Sequence, residues 1–183
     1  MNETLKTIFD RYSCRDFAPE PLTDEQVETL VKTALAAPSA MNLQPLHIIA
    51  VKDKPLIEEL DAEIMSFVEA QGGEFYERMK ARGGKALYNA PCMIIIAKDD
   101  SKDSAVLDCG IATQNIALAA HSMGLASVIC GMMRIPLNGE KGAEFTKRLK
   151  LPEGYSFGMS VLLGNAKSGK EPHELDMNKV TYI

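Results

Sequence analysis

Apolar residues recur with helical spacing in several stretches of the chain. The clearest stretch begins at Thr23, which forms a capping-box pattern with Gln26, and its apolar stripe ends before Pro38. The same periodicity predicts helices over residues 3–11, 55–70, 104–123 and most of 139–149, with a looser helical stretch from 73 to 87. The stretch over 104–123 is apolar on more than one side, so we expect it to run through the centre of the protein or against a partner.

Apolar runs between these helices predict strands. The run CMIIIA, at residues 92–97, is apolar on both faces, as a buried central strand should be. Three more strands are predicted over 46–51, 126–130 and 157–163. A final segment, KVTYI at 179–183, alternates like a strand but lies beyond a long polar loop. Because a short terminal strand needs a sheet edge, we expect it to pair within its own chain or with a second chain.

Length and composition predict a single domain and argue against a nucleic-acid-binding protein. The chain has 183 residues, of which 46% are hydrophobic and 25% charged. A domain of this length buries roughly 70% of the surface that its unfolded chain exposes, so residues 1–183 are predicted to form a single domain. The net charge of −5 and the absence of Trp argue against a broad basic face and a base-stacking platform. No nucleic acid is therefore expected as a partner.

The N-terminus and the cysteines bear on location. The N-terminus lacks a basic segment followed by an apolar run, and no apolar stretch is long enough to cross a membrane. The four cysteines form no CxxC pair and no His cluster accompanies them, so no metal site is expected. These features predict a cytoplasmic protein with reduced thiols and no membrane partner.

The segment RYSCR, just after the first predicted helix, is a candidate anion site. Arg11, Ser13 and Arg15 place two guanidiniums and a hydroxyl within five residues. Such groups suit a phosphate or a carboxylate because Arg offers a planar fork of donors. The alternative is a solvated basic turn paired with Asp10 and Asp16.

The loop PSAMNLQP, residues 38–45, joins a predicted helix to a predicted strand. Its two prolines stiffen the backbone, so Ser39, Asn42 and Gln44 would be held in place as hydrogen-bonding groups. The alternative is an ordinary connection, since turns use Pro, Ser and Asn for conformational reasons alone.

A third candidate lies where the strand over 126–130 leads into Gly131. A glycine there permits close approach of the backbone to a flat ligand, but for this segment on its own a strand-ending turn is the better explanation. Cys130 has no His nearby in sequence and is better explained as a small buried hydrophobe than as a nucleophile.

The late loop GNAKSGK, residues 164–170, contains a Gly-Lys pair. It is not a P-loop, because Glu171 and Pro172 follow where Ser or Thr and a helix would be required. Either Lys167 or Lys170 could neutralise a phosphate, and a flexible basic loop is the alternative.

Each segment is ambiguous alone, but their order along the chain is informative. The segments are Arg-x-Ser-x-Arg, Pro-Ser-Ala-x-Asn-x-Gln-Pro, a long Ala-rich helix, a strand leading into Gly, and Leu-Leu-Gly before lysines. Taken in this order, they resemble the FMN-dependent nitroreductase family. The resemblance spans residues 11–183 and fits a short-chain member. It implies an α+β nitroreductase-like layered fold, with a mainly antiparallel sheet flanked by helices. It also implies an intertwined homodimer with C-terminal strand exchange, for which KVTYI is the matching segment.

The resemblance further implies two FMN molecules at the dimer interface, each touching both chains. Arg11 and Ser13 match family positions at the FMN phosphate. Arg15 matches a basic residue near flavin N1 and O2, where a cation stabilises the reduced ring. The residues that match the segment contributed by the other chain are Pro38, Ser39, Ala40, Asn42 and Gln44.

Two further sets of positions follow from the same resemblance. Cys130 and Gly131 fall where a backbone amide approaches flavin N5, and Lys167 and Lys170 are candidates for a late contact with the phosphate. Residues 72–89, at the expected substrate mouth, carry no motif that identifies a substrate.

The implied function is an FMN-dependent NAD(P)H oxidoreductase that reduces a nitroaromatic, a quinone or a similar small electron acceptor by a ping-pong mechanism. NADH or NADPH would give hydride to flavin N5 and leave, and the acceptor would take electrons at the same face. No side chain is expected to be an essential acid or base, since the flavin carries the chemistry.

Three alternatives remain open. A flavin enzyme of the same fold could perform other chemistry, such as reductive dehalogenation or flavin fragmentation. A non-enzymatic FMN-binding or sensing protein would hold flavin without turnover. A thiol-based redox enzyme would use Cys14 or Cys130.

Overall fold

Seven α-helices and four strands make up the protein, and the computed structural model describes all 183 residues. The helices are α1 Glu3–Asp10, α2 Asp24–Leu35, α3 Lys54–Gln71, α4 Gly73–Ala81, α5 Ala105–Ser122, α6 Arg134–Asn138 and α7 Gly142–Arg148. The strands are β1 Leu46–Val51, β2 Cys92–Asp99, β3 Ala126–Cys130 and β4 Tyr155–Gly164. No helix combines the length and the hydrophobicity that a membrane crossing requires.

The four strands form one sheet in the order β1-β2-β4-β3, and every neighbouring pair is antiparallel. The predicted α+β class with an antiparallel sheet flanked by helices is therefore confirmed. β1 and β3 are the two edges of this sheet. They lie three strand spacings apart, which is roughly 14 Å.

Two helical layers cover the two faces of the sheet. The side chains of β2 alternate between them, so that Met93 and Ile95 join one buried cluster while Ile94 and Ile96 join the other. The first cluster packs under α3, α4, α6 and α7, and the second packs under α2 and α5. This two-sided burial explains why β2 is an uninterrupted apolar run and confirms it as a central strand.

Local sequence signals set the helix ends. Gln26 N–H donates to Thr23 Oγ1 at 3.2 Å and Thr23 N–H donates to Gln26 Oε1 at 2.9 Å, which confirms the predicted capping box. α5 packs against α2 and against all four strands, which confirms its predicted central course. Gly124 follows α5 with a φ of 73°, a conformation that favours glycine just past a helix end.

Three predicted elements differ from the structure. The looser helical stretch expected to reach residue 87 ends at Ala81, because Gly83 and Gly84 take left-handed φ angles of 96° and 64°. α6 is a short helix that the periodicity did not reveal. Within this chain the predicted terminal strand over 179–183 is absent, since Lys179 ends a 3-10 turn and the residues after it pair with no strand.

Candidate functional site

The segment between α1 and α2 runs along the free edge of β3 and then crosses to the end of β4. Ser13 forms a parallel bridge with Ser127 of β3, and Phe17 forms an antiparallel bridge with Ala166, just beyond β4. These two bridges fix the backbone on both sides of Arg15. The predicted anion-binding segment is therefore an ordered part of the sheet edge rather than a free turn.

Two adjoining cavities, of about 350 and 100 Å³, open along this segment, and we call them together the cationic depression. Both cavities are lined by Tyr12, Ser13, Arg15 and Lys170. Arg11 lines the smaller cavity and Arg82 the larger one, and Asp16 and Glu171 add two acidic groups. Four cations thus face one depression that holds two carboxylates.

The cations of this depression have no ion-pair partners. None of Arg11, Arg15, Arg82 and Lys170 forms an ion pair within 4.0 Å. Arg11 Nε is also buried and has no hydrogen-bond acceptor. A buried donor left unpaired costs about 1–3 kcal/mol, so the Arg11 side chain is held at this place at some cost in stability.

The C-terminal end of β3 lies next to a larger cavity. Arg134 Nε donates a hydrogen bond to Gly131 O at 3.2 Å. A Cβ atom placed on Gly131 would meet Arg134 Nη2 at 3.5 Å and Met159 Sδ at 3.9 Å, which are ordinary contacts. Packing within the chain therefore does not require glycine here. A cavity of about 470 Å³ adjoins this point, with Arg134 and Met159 in its wall.

The loop over residues 38–44 holds its own shape. Met41, Asn42 and Gln44 have φ angles of 50°, 55° and 49°, a left-handed conformation that non-glycine residues adopt at a cost. Gln44 N–H donates to Ser39 Oγ at 2.9 Å, and Gln44 Nε2 donates to Asn42 Oδ1 at 3.2 Å. The hydrogen-bonding groups predicted from this motif are thus used first to hold the loop itself.

Asp108 in α5 anchors the same loop, and sequence reasoning missed it. One of its carboxylate oxygens accepts a hydrogen bond from Ala40 N–H at 3.2 Å, while the other is buried without a partner. The residue is only 3% exposed. The signal that could have found it is its position as the one acidic residue of an otherwise neutral and mostly apolar helix.

The structure brings together only part of the predicted set. Arg11, Ser13, Arg15 and Lys170 meet in the cationic depression, beside the β3 edge that ends at Cys130. The loop containing Pro38, Ser39, Ala40, Asn42 and Gln44 precedes β1, at the opposite edge. Lys167 is separated from Lys170, because its N–H donates to Asp16 O at 3.0 Å and its side chain lines a different cavity.

The cysteines are poorly suited to thiol chemistry. All four are buried and none is in a disulfide. Burial raises the pKa of the Cys14 and Cys130 thiols above the usual value, and raises those of Cys92 and Cys109 to about 11. Because the thiolate is the reactive form, these thiols are largely inert at neutral pH.

The chain is similar in sequence to curated flavin reductases. The chain is 32% identical over 179 residues to the NADPH-flavin oxidoreductase of Vibrio harveyi, covering 93% of this chain and 69% of that protein. It is 30% identical over 182 residues to the FMN reductase (NADPH) of Bacillus subtilis, covering 94% and 70%.

A solved structure is also closely similar. The nitroreductase of Desulfitobacterium hafniense, solved with bound FMN, superimposes with a TM-score of 0.96 at 46% identity, covering 100% of this chain and 99% of that one. The model of the nitroreductase family matches residues 8–165. The chain belongs to the nitroreductase family, as the order of its motifs predicted.

Proposed function

We propose that this chain is an FMN-dependent NAD(P)H oxidoreductase that reduces a small electron acceptor, such as a nitroaromatic or a quinone. The observation that carries the proposal is the meeting of Arg11, Ser13, Arg15 and Lys170 in the cationic depression, with Arg11 Nε buried and unpaired. The relatives named as flavin oxidoreductase and FMN reductase, and the FMN-bound nitroreductase structure, support it.

The residues of the depression fit the phosphate end of FMN. A phosphate monoester carries close to two negative charges at neutral pH and offers several acceptor oxygens. Arg11 and Lys170 supply unpaired cations and Ser13 supplies a hydroxyl donor. We propose Lys170 rather than Lys167 as the late basic contact, because only Lys170 lines the depression.

Arg15 and the end of β3 fit the flavin ring. When bound, FMN supplies the two-electron transfer chemistry, and the chain supplies binding, orientation and charge. The Arg15 guanidinium would stabilise negative charge on the ring, and Cys130 and Gly131 would offer backbone groups beside it, next to the Arg134 side chain. No residue of this chain is assigned as an acid or a base.

The site is proposed to be completed by a second copy of the chain. The loop that starts at Pro38 and the cationic depression lie at opposite edges of the sheet, which favours a site that combines the loop of one chain with the depression of another. A homodimer would bring the partner's loop to the depression. Exposed apolar residues on α1 and α5 provide a surface for it: Leu5, Ile8, Phe9, Val106, Leu107 and Ile111.

The C-terminal segment is proposed to exchange between the two chains. Residues after the 3-10 turn Met177–Lys179 pair with no strand of their own chain, although Val180 has extended φ and ψ angles of −108° and 130°. Tyr182 and Ile183 are largely exposed, which is unfavourable for apolar side chains in a monomer. Addition to an edge strand of the partner would bury them.

A ping-pong order suits the cavity beside Gly131. Its volume of about 470 Å³ is the size of a site for one drug-sized ligand, so NAD(P)H and the acceptor would use it in turn. The two core clusters share one sheet, which supports a single FMN-binding domain over residues 1–183. A cytoplasmic location stays a prediction from the sequence.

Purification tests the proposal directly. The protein is expected to be yellow, to hold about one FMN per chain, and to oxidise NADH or NADPH when a quinone or a nitroaromatic is added. Colourless protein that takes up no added FMN contradicts the proposal. Bound flavin without NAD(P)H oxidation points instead to a non-enzymatic FMN-binding protein. Product analysis with halogenated substrates and free flavin separates the reductase from dehalogenation and flavin fragmentation.

A further inference from the structure

A separate cavity of about 250 Å³ lies beside α3, and we call it the α3 cavity. It shares no lining residue with the cationic depression. Along the N-terminal segment, Arg15 lines the depression and Phe17 lines the α3 cavity. The two are therefore different sites on one ordered stretch of backbone.

The floor of the α3 cavity is apolar. Phe17, Ile57 and Leu87 line it and are 2%, 3% and 1% exposed. An apolar cavity of about 150 Å³ is enough to bind benzene, so 250 Å³ accommodates one aromatic ring with substituents. A complete FMN or NAD(P)H molecule is too large for it.

The charges around this floor leave one cation unpaired. Three lysines and two carboxylates line the cavity: Lys54, Lys85, Lys167, Glu58 and Asp61. Lys54 Nζ lies 3.7 Å from Glu58 Oε1, and Lys85 Nζ lies 3.5 Å from Asp61 Oδ2. Lys167 forms no ion pair within 4.0 Å. The lining thus has a surplus of one positive charge, and that charge belongs to Lys167.

One wall of the cavity is held in a strained conformation. Tyr88 and Asn89 are consecutive non-glycine residues with φ angles of 54° and 58°, and Asn89 lines the cavity. The buried carboxylate of Asp61 holds this wall, because its Oδ1 accepts a hydrogen bond from Leu87 N–H at 2.7 Å. Such strain costs about 1–3 kcal/mol per residue and is concentrated at ligand clamps and active sites.

We infer that the α3 cavity binds a small aromatic monocarboxylate, with its ring against Phe17, Ile57 and Leu87 and its carboxylate at Lys167. The single surplus charge matches a monoanion, and the apolar floor favours a ring over inorganic phosphate. This inference goes beyond the proposed flavin chemistry and does not depend on it.

Benzoate is the probe for the test. Its binding is monitored by NMR through the backbone amide signals of the purified, FMN-loaded protein. The amides of Leu87 and Asn89 are expected to shift saturably as benzoate is added. Lys167→Glu is expected to weaken this binding at least about tenfold, because it replaces the unpaired cation by an anion. Benzamide, which has the same ring without the charge, is expected to bind more weakly than benzoate.

Lys147→Glu is the matched control, since it makes the same charge change at an exposed lysine of α7 that lines neither the α3 cavity nor the cationic depression. It is expected to leave the benzoate response of Leu87 and Asn89 unchanged. The inference is overturned if these amides do not respond, if Lys167→Glu leaves the affinity unchanged, or if only amides of residues 11–15 shift. Because the probe needs no turnover, a protein that bound no flavin could still show the benzoate response, so the two proposals fail separately.

Discussion

The two edges of the sheet hold the two halves of the predicted site in different ways. At the β3 edge, Arg11, Arg15 and Lys170 face an open depression without partners, and one buried donor has no acceptor. At the β1 edge, Ser39 and Gln44 already bond to each other, and no residue of the loop lines any of the four cavities described above. The first region is built to receive a ligand, whereas the second is built to keep a shape.

This difference bears on assembly. A loop whose hydrogen bonds already hold its own conformation is pre-organised to contact a ligand or a second chain. Such pre-organisation lowers the entropic cost of ordering the loop on binding. The depression, in contrast, leaves its binding groups free. We therefore propose that the β1-edge loop of one chain completes the depression of a second copy.

Arg11→Ala removes the buried donor of the depression. We expect FMN affinity to fall between about tenfold and a hundredfold, since a hydrogen bond to a charged group contributes about 1.5–3 kcal/mol. Fluorescence titration of flavin into the apoprotein measures the change. Arg78→Ala, on exposed α4, is the control and is expected to leave FMN affinity unchanged. Equal FMN affinities of the wild type and Arg11→Ala would contradict the proposed contact of Arg11 with the FMN phosphate.

Asp108→Ala tests the other edge without touching the depression. Ala40 N–H loses its acceptor, so the loop loosens, and we expect FMN affinity to fall about tenfold. Asp108→Asn keeps an acceptor oxygen for Ala40 and is expected to have a milder effect. An Asp108→Ala protein that binds FMN as tightly as wild type would show that the loop is not part of the site.

A heterodimer of the two variants tests whether the depression and the loop of one site come from different chains. In a heterodimer of Arg11→Ala and Asp108→Ala chains, one site combines both altered halves and the other combines both normal halves. We expect co-refolded mixtures to regain tight FMN binding in about half of the sites of each heterodimer. No recovery would mean that both halves act within one chain.

Alkaline pH tests how strongly burial of Cys92 in the central strand β2 affects the stability of the fold. Burial raises the pKa of Cys92 on β2 from 9.0 to about 11. The folded state therefore holds this proton more tightly than the unfolded state, and stability is fully present below pH 9 and is lost as pH rises from 9 towards 11. At pH 10 the loss is about 1.4 kcal/mol. Urea unfolding of wild type and Cys92→Ala at pH 8 and pH 10 measures it, and equal pH dependence in both contradicts it.

Cys130→Ser is expected to produce the smallest effect. Burial raises the pKa of this thiol, and only the backbone at residues 130 and 131 is proposed to meet the flavin. We expect FMN content to stay at one per chain and kcat to change by less than about twofold. A loss of turnover with FMN retained would revive the thiol mechanism.

Much of the fold could be predicted from local patterns. The bounds of β1 and β3 match the predicted 46–51 and 126–130, and the capping box at Thr23 is present. Short-range chemistry sets these features: side-chain alternation, caps and glycine turns. The end of α4 was missed because the glycine turn at Gly83 and Gly84 was not used to end the helix, and α6 was missed because its five residues are too few to show a periodic stripe.

The candidate site was predictable to a smaller extent. Residue type alone predicted Arg11, Ser13 and Arg15 as anion-binding residues, since guanidinium and hydroxyl groups close together suit an anion. It could not separate Lys167 from Lys170, which are three residues apart but line different cavities. Asp108 escaped notice because its role lies in a contact with Ala40, 68 residues away along the chain.

The secondary-structure elements, the family and the groups that can hold an anion are predictable from local patterns, because each rests on residues that are close together along the chain. The positions of those groups relative to one another depend on how the strands pair. The strand order β1-β2-β4-β3 puts the loop after Pro38 and the segment after Arg11 on opposite edges. That order follows from pairing between distant strands, which share a common core, and no local pattern encodes it.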